Sequence, residues 1–357
     1  MRLVHMNALA GFLRILIFTI FGGLILFTLI DLFDHMDSFM DNKATPGMMA
    51  RYYLNKTPWI IDTVLPIGML MATLFSVGMM ARYNELTALF AAGRSLMQVT
   101  RPLLLLALFA TLFSLAWSEY VLPGANAEVE RIWEVEVHGR PDRIRPTNDI
   151  ALTGTDGWLY YARTFVPDED RIKEFRAHLL SGSQVVERYD AEAAVWDGGQ
   201  WMLTNGTHRW FSASGDSISR FQSLASGLGG ISPQAFRDER VKPESMNIRQ
   251  LRRYVRLIRS SGGDPTVYEV DLHFKLAFPT VHLVVVFLGI LLASGPRKTT
   301  VASGFGWTIL VSFGYYLSVN FGRALGHNGA LPPLIAAWAG NLAYSIVAVV
   351  LFLRVRR

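Results

Sequence analysis

The sequence predicts an α-helical membrane protein of six spans, three plus three, with an all-β domain of jelly-roll type inserted between the two groups. Three observations carry this. Six apolar runs approach the roughly 20 helical residues that a bilayer crossing requires. Lys and Arg cluster beside alternate run ends, at Arg2/Arg14, Arg82–Arg101, Arg297/Lys298 and Arg354–Arg357. Between the third and fourth runs lie about 145 residues of alternating pattern, enough for one small domain. Composition agrees, with 51% of the 357 residues hydrophobic, 18% charged and a mean hydropathy of +0.27. The absence of cysteine excludes thiolate metal sites, disulfide scaffolds and thiol catalysis.

The first span is expected at about Phe12–Phe33, behind Arg2, His5 and Arg14. It is too long for a signal-peptide core and no small-residue cleavage site follows. Its basic flank puts the N-terminus in the cytoplasm. Asp31, Asp34, Asp37 and Asp41 then recur at helical spacing. A carboxylate as deep as Asp31 faces a water-filled cavity or a partner helix, whereas Asp37 and Asp41 read as a solvated extension. The second span, about Trp59–Met80, carries Pro66 and Gly68, and the third runs to about Trp117.

Between these two spans lies ARYNELTALFAAGRSLMQVTRP, Ala81–Pro102. Glu85, Leu86, Leu89 and Phe90 fall at helical spacing, so a short amphipathic helix is expected at about 83–95. Gly93 and Ser95 close it, and Arg82, Arg94 and Arg101 mark the cytoplasmic side. A helix clamped between two spans can receive a push from a soluble motor. Composition by itself favours an ordinary interfacial loop helix.

Residues 1–122 thus form the first membrane region, 123–265 the inserted domain and 266–357 the second membrane region. Within the insert, WLYYARTF, FRAHLL, QVVERYDAEAAVW and WMLTNGTHRWF read as strands. Turns are expected at Val166–Asp170, Asp197–Gly199 and Asn205–Gly206. Trp158, Tyr160, Trp196, Trp201, Trp210 and Phe211 read as core, or in part as the lining of an open apolar groove. MNIRQLRRYVRLIRS, ahead of Ser261, is a basic amphipathic helix with Ile248, Leu251, Val255 and Ile258 on one side. It is expected to lie on the outer membrane face or to feed the chain into the fourth span.

The fourth span, about Val270–Ala293, holds Asp271, His273, Lys275 and His282. These read as satisfied polar residues at a helix interface rather than a proton relay. The fifth, Val301–Phe321, ends towards Arg323 and His327, and the sixth, about Pro333–Leu353, stops at Arg354. Both termini are then cytoplasmic and the inserted domain lies outside. No phosphate-binding Gly-x-x-x-x-Gly-Lys-[Ser/Thr], His-Glu-x-x-His or Gly-x-Ser-x-Gly motif occurs. Energy for any transport would come from another chain; no cofactor, metal or nucleic-acid partner is expected.

Asn84-Glu85-Leu86 with Ala88, Gly93 and Gln98 resembles the coupling helix of lipopolysaccharide-export ABC-transporter permeases. The strand pair around Ala191–Trp196 and Trp201–Gly206 resembles their periplasmic jelly roll. LRRYV…SGGDPTVYEVDLHFKLAFP, with Lys275 and Pro279, is similar to their approach to the fourth span, more like the G subunit than its F partner. The resemblance covers nearly the whole chain.

What the resemblance implies is a bacterial inner-membrane transport subunit, not an enzyme. It would pair with a homologous permease above an ATPase dimer and pass lipopolysaccharide to a periplasmic bridge protein. Glu85, with Leu86, Leu89 and Phe90, would dock in a groove of the ATPase. Where the G type can carry a phosphate-binding lysine near the outer end of the first span, this chain has Asp31 and Asp34. Arg131, Lys275 or Arg323 would supply that charge instead, and Tyr160, Trp196 and Trp201 an acyl-chain path. Two other classes fit the membrane pattern. A lipoprotein-release or mechanotransmission permease commonly places its outer domain after the first span, not the third. A ligand-binding sensor would not need the Glu85 helix.

Overall fold

The computed structural model describes residues 2–139, 147–154, 157–181, 184–197, 199–211, 215–228, 231–238, 242–260, 264–294 and 301–355. Arg297, Lys298, Arg356 and Arg357 lie outside these. The chain forms two compact units, Met1–Val129 with Glu269–Arg357, and Glu130–Tyr268.

The first unit is a helix bundle. It comprises α1 (Arg2–Asp41), α2 (Pro46–Arg82), α3 (Glu85–Ala91), α4 (Leu96–Tyr120), the start of α5 (Leu122–Arg131), most of α8 (Thr266–Ala277), α9 (Val281–Ala293), α10 (Val301–His327) and α11 (Pro333–Val355). Among the described residues, α1, α2, α4, α8–α9 taken together and α11 are long and apolar enough to cross a membrane. The expected fifth span falls on α10, whose 27 residues are interspersed with Gly, Ser and Tyr. Helices α1 and α2 run well past their apolar runs, to 40 and 37 residues. Phe18, Phe21, Phe109 and Phe321 stand exposed on the bundle surface, as side chains facing lipid do.

The helices meet through small residues and a few polar bonds. A Cβ at Gly322 of α10 would fall 2.5 Å from the Ala336 carbonyl oxygen of α11, so glycine permits that close approach. Between α8 and α9, Phe278–Thr280 form one 3-10 turn at Pro279. Asn341 of α11 holds this break: its amide donates to the Ala277 carbonyl at 2.7 Å and to Thr280 at 2.8 Å, and its oxygen accepts from Tyr315 at 2.8 Å. Proline-broken helices survive in membranes where neighbours satisfy the backbone in this way.

The second unit is built on one antiparallel sheet in the order β1–β6: Thr147–Thr153, Trp158–Val166, Arg171–Ser181, Gln184–Asp197, Gln200–Trp210 and Ser217–Ala225. Its inner face is apolar, with Ile150, Tyr160, Phe175, Ala191, Trp201 and Leu203 in one core. Leu228, Ile231 and Phe236, the last on α6 (Pro233–Asp238), close over it. Two strands, β1 and β6, lie beyond those read from the sequence.

A row of positions crosses the whole sheet: Asp149, Arg163, Glu174, Glu192, Asn205 and Gln222. Each is skipped in the bridge pairing of its strands while the register on either side is unchanged. Asp149, Glu174 and Asn205 have positive φ, on alternate strands. Core residues step by two along each strand but by three across the row, as in Ala162 to Phe165, Ile172 to Phe175 and Ala191 to Ala194. Such extra residues bend a strand, and here they are aligned in all six. Asn205-Gly206 is therefore not a turn, as the dipeptide suggests. It lies inside β5, and a Cβ at Gly206 would collide with the Asp190 carbonyl oxygen.

The basic helix α7 (Ile248–Ser260) also belongs to this unit. It starts with reciprocal bonds between Asn247 and Gln250, a capping box. Its apolar side does not lie on a membrane: Leu251, Tyr254, Val255 and Ile258 are all at most 7% exposed. They are buried within the β unit, where Tyr254 donates to the Asp149 carbonyl of β1 at 2.7 Å.

Candidate functional site

The corner between α2 and α4 is fixed by backbone geometry at both ends. Asn84 adopts the left-handed conformation at φ 59°, which asparagine tolerates better than most residues. At the far end Gly93 has φ 76°, with Gly93 N–H donating to Phe90 and Arg94 N–H to Leu89 at 2.9 and 3.0 Å. That is the Schellman arrangement, which calls for glycine at this position. Ser95 then caps α4 through reciprocal bonds with Gln98.

The seven residues of α3 have two sides. Leu86, 3% exposed, is buried in the bundle core, and Leu89 packs against the same core. Glu85, Thr87, Ala88 and Phe90 are exposed, as are Arg82, Arg94 and Arg101. Leu86 thus anchors α3 to its own bundle instead of facing a partner groove. The outward surface is Glu85 with Phe90, and Glu85 in the first turn also suits the helix dipole.

Two ionic clusters sit at the opposite helix ends. Asp31 of α1 accepts from Lys56 Nζ of α2 at 2.5 Å, with His35 3.4 Å away and Tyr52 also bonded to Lys56. Asp271 of α8, 4% exposed, accepts from Arg323 Nε and Nη2 of α10 at 2.8 and 2.7 Å and meets His327 at 3.0 Å. Arg323 also lies over the Phe274 ring. Each cluster joins a carboxylate to a cation and a histidine, the carboxylate and cation on different helices. Deeper in the bundle, Ser114 of α4 donates to Asp62 of α2 at 2.9 Å and Trp117 donates to the Pro58 carbonyl. Lys275 is half-buried one turn before Pro279.

The remaining expected site residues fall in the β unit. Arg131 is exposed, 2.7 Å from Glu136. Tyr160 and Trp201 are 2% and 0% exposed, and the Trp201 indole donates to the Ile231 carbonyl at 2.8 Å. They are part of a closed core rather than an open groove; Trp196 packs edge-on against Trp201 and is half-buried. Lys56 and Asn341 were not singled out from the sequence. The carboxylate that Lys56 meets is 25 residues away and the partners of Asn341 are 26, 61 and 64 residues away, beyond the reach of local pattern.

These features define a multi-helix integral membrane protein carrying a β domain. The sequence model of the family described as "Lipopolysaccharide export system permease LptF/LptG" matches residues 8–354. The chain belongs to that family, and with it to the inner-membrane permeases. It is 21% identical over 314 residues to the lipopolysaccharide export system permease protein LptG of Escherichia coli K12, covering 85% of this chain and 84% of that protein. The LptG of Escherichia coli O6:H1 matches to the same extent.

Proposed function

We propose that this chain is a G-type permease subunit of an ABC transporter that extracts lipopolysaccharide from the inner membrane. Its six long helices are the spans, three before the β unit and three after, with both termini cytoplasmic. The β unit is the periplasmic jelly-roll-like domain. A homologous permease completes the cavity, an ATPase dimer supplies the energy, and a periplasmic bridge protein receives the lipid. The observation that carries this reading is the α3 corner, found in a chain of the LptF/LptG family. It is turned by Asn84 and Gly93, both at positive φ, anchored by Leu86 and presents Glu85 and Phe90 outward.

In this reading ATPase motion at α3 reaches α2 and α4 without slack. A cation at Arg323, Lys275 or Arg131 contacts lipid phosphate, which a guanidinium binds through paired charge-assisted bonds. At Arg323 the phosphate competes with Asp271. Acyl chains pass along the inner face of the sheet at Tyr160, Trp196 and Trp201 by displacing the cover of Leu228, Ile231 and Phe236. The test is co-purification from mild detergent, with proteins and lipid identified by mass spectrometry. An ATPase, a second permease and lipopolysaccharide are expected together; recovery of the chain alone, free of lipid, refutes the reading.

A further inference from the structure

Helix α7 is the basic feature that neither the bundle nor the sheet accounts for. Its sequence, IRQLRRYVRLIRS, holds five arginines and no acid. At 100° per residue Arg249, Arg252, Arg253, Arg256 and Arg259 occupy about 120° of its circumference. The opposite side is committed to the β unit through Leu251, Tyr254, Val255 and Ile258. All five arginines are exposed.

We propose that this arginine face docks the β unit onto the anionic phospholipid headgroups of the membrane leaflet from which α8 enters. Two observations select a lipid surface as the occupant. Charge complementarity is one, since the face is basic throughout. The other is chain length: five residues, 261–265, separate Ser260 from Thr266, the first residue of α8, and the six steps between them have a contour of at most about 20 Å. The helix is therefore held beside the bilayer, where each basic residue near an anionic leaflet adds attraction that fades within a Debye length. Interfacial helices ordinarily insert an apolar face. Here that face is already used, so α7 adsorbs by charge alone and releases in salt. The inference does not depend on the transport reading.

The chain lacks cysteine, so Ser260→Cys, on the same arc, gives one labelling site in the full-length protein. A fluorophore there would be followed in nanodiscs of phosphatidylcholine alone or with about one third phosphatidylglycerol, both carrying a nitroxide-headgroup quencher. Quenching should be at least about threefold greater in the anionic discs and fall to the neutral-disc level in molar salt. Changing Arg252, Arg253 and Arg256 together to Glu should abolish the difference, and changing them to Gln should reduce it. Unaltered hydrogen-exchange protection of β1 would show that both variants keep their fold. Equal quenching in the two discs, or a difference that survives charge reversal, overturns the proposal. So does label protection that appears only when an acidic partner protein is added, whatever the lipid.

Discussion

Replacing Asn341 with Leu should destabilise the bundle without changing its helices. The side chain, 4% exposed, makes three hydrogen bonds that tie α11 to the Pro279 break and to Tyr315 of α10. Buried side-chain bonds between membrane helices average about 0.6 kcal/mol each, so their sum is about 2 kcal/mol. Leucine has similar bulk, which keeps the cavity contribution small. Tyr315 is 2% exposed, so its hydroxyl loses its acceptor in a site that water does not reach, which adds to the cost. Tyr315→Phe should therefore destabilise the parent by about 0.6 kcal/mol yet restore part of the loss when combined with Asn341→Leu. Unfolding in mixed detergent micelles, run as a double-mutant cycle, measures both, and hydrogen exchange at Ala277–Val281 should quicken. An Asn341→Leu protein as stable as the parent, or strictly additive variants, would refute the assignment of this residue as the clasp on the broken helix.

Other outcomes are expected. Leu86→Ala should cost about 2–5 kcal/mol of bundle stability because its side chain is buried, whereas Glu85→Lys, at an exposed site, should cost no more than about 1 kcal/mol through the helix dipole. If α3 docks an ATPase, Glu85→Lys should instead weaken that association by on the order of 2–5 kcal/mol, read as lost co-purification. Trp201→Phe removes the bond to Ile231 and should cost about 1–3 kcal/mol, read as faster exchange in β5. His178 is 4% exposed, and burial, reinforced by Arg188, holds its pKa below that of ordinary imidazole. The unfolded chain therefore takes up a proton first as pH falls. This residue leaves stability unaffected above about pH 6.5 and lowers it below. Exchange protection of β3, corrected for intrinsic rate, should drop from pH 7.5 to pH 5.5, and His178→Gln should flatten that slope.

The long apolar helices and the α3 corner were legible because their signals are local: an apolar run, and a glycine after a short amphipathic stretch. Strands β2 to β5 were legible for the same reason. Strand β1, TNDIALT, has too few apolar residues to stand out, and β6 is almost wholly exposed, so its pattern is weak. The amphipathic pattern of α7 was plain, but a helix pattern does not say whether its apolar side meets lipid or protein. Leu86 showed the same ambiguity. The Asp31–Lys56 and Asp271–Arg323 pairs were invisible for another reason, since an ion pair between helices leaves no periodic trace in either one.

The row from Asp149 to Gln222 has a mechanical consequence. A continuous sheet is stiff along its strands, and flexing it elsewhere would break ladder bonds. Here the bridge pairing is interrupted at the same level in all six strands, and the side-chain links along it include the exposed Arg163–Glu174 ion pair and the exposed Asn205–Glu192 hydrogen bond. Exposed ion pairs contribute little. The bend along the row is therefore set by the backbone, at one level in every strand, as a card keeps a crease along its score. The inner face takes its curvature from that one line, while the strands stay paired on either side of it.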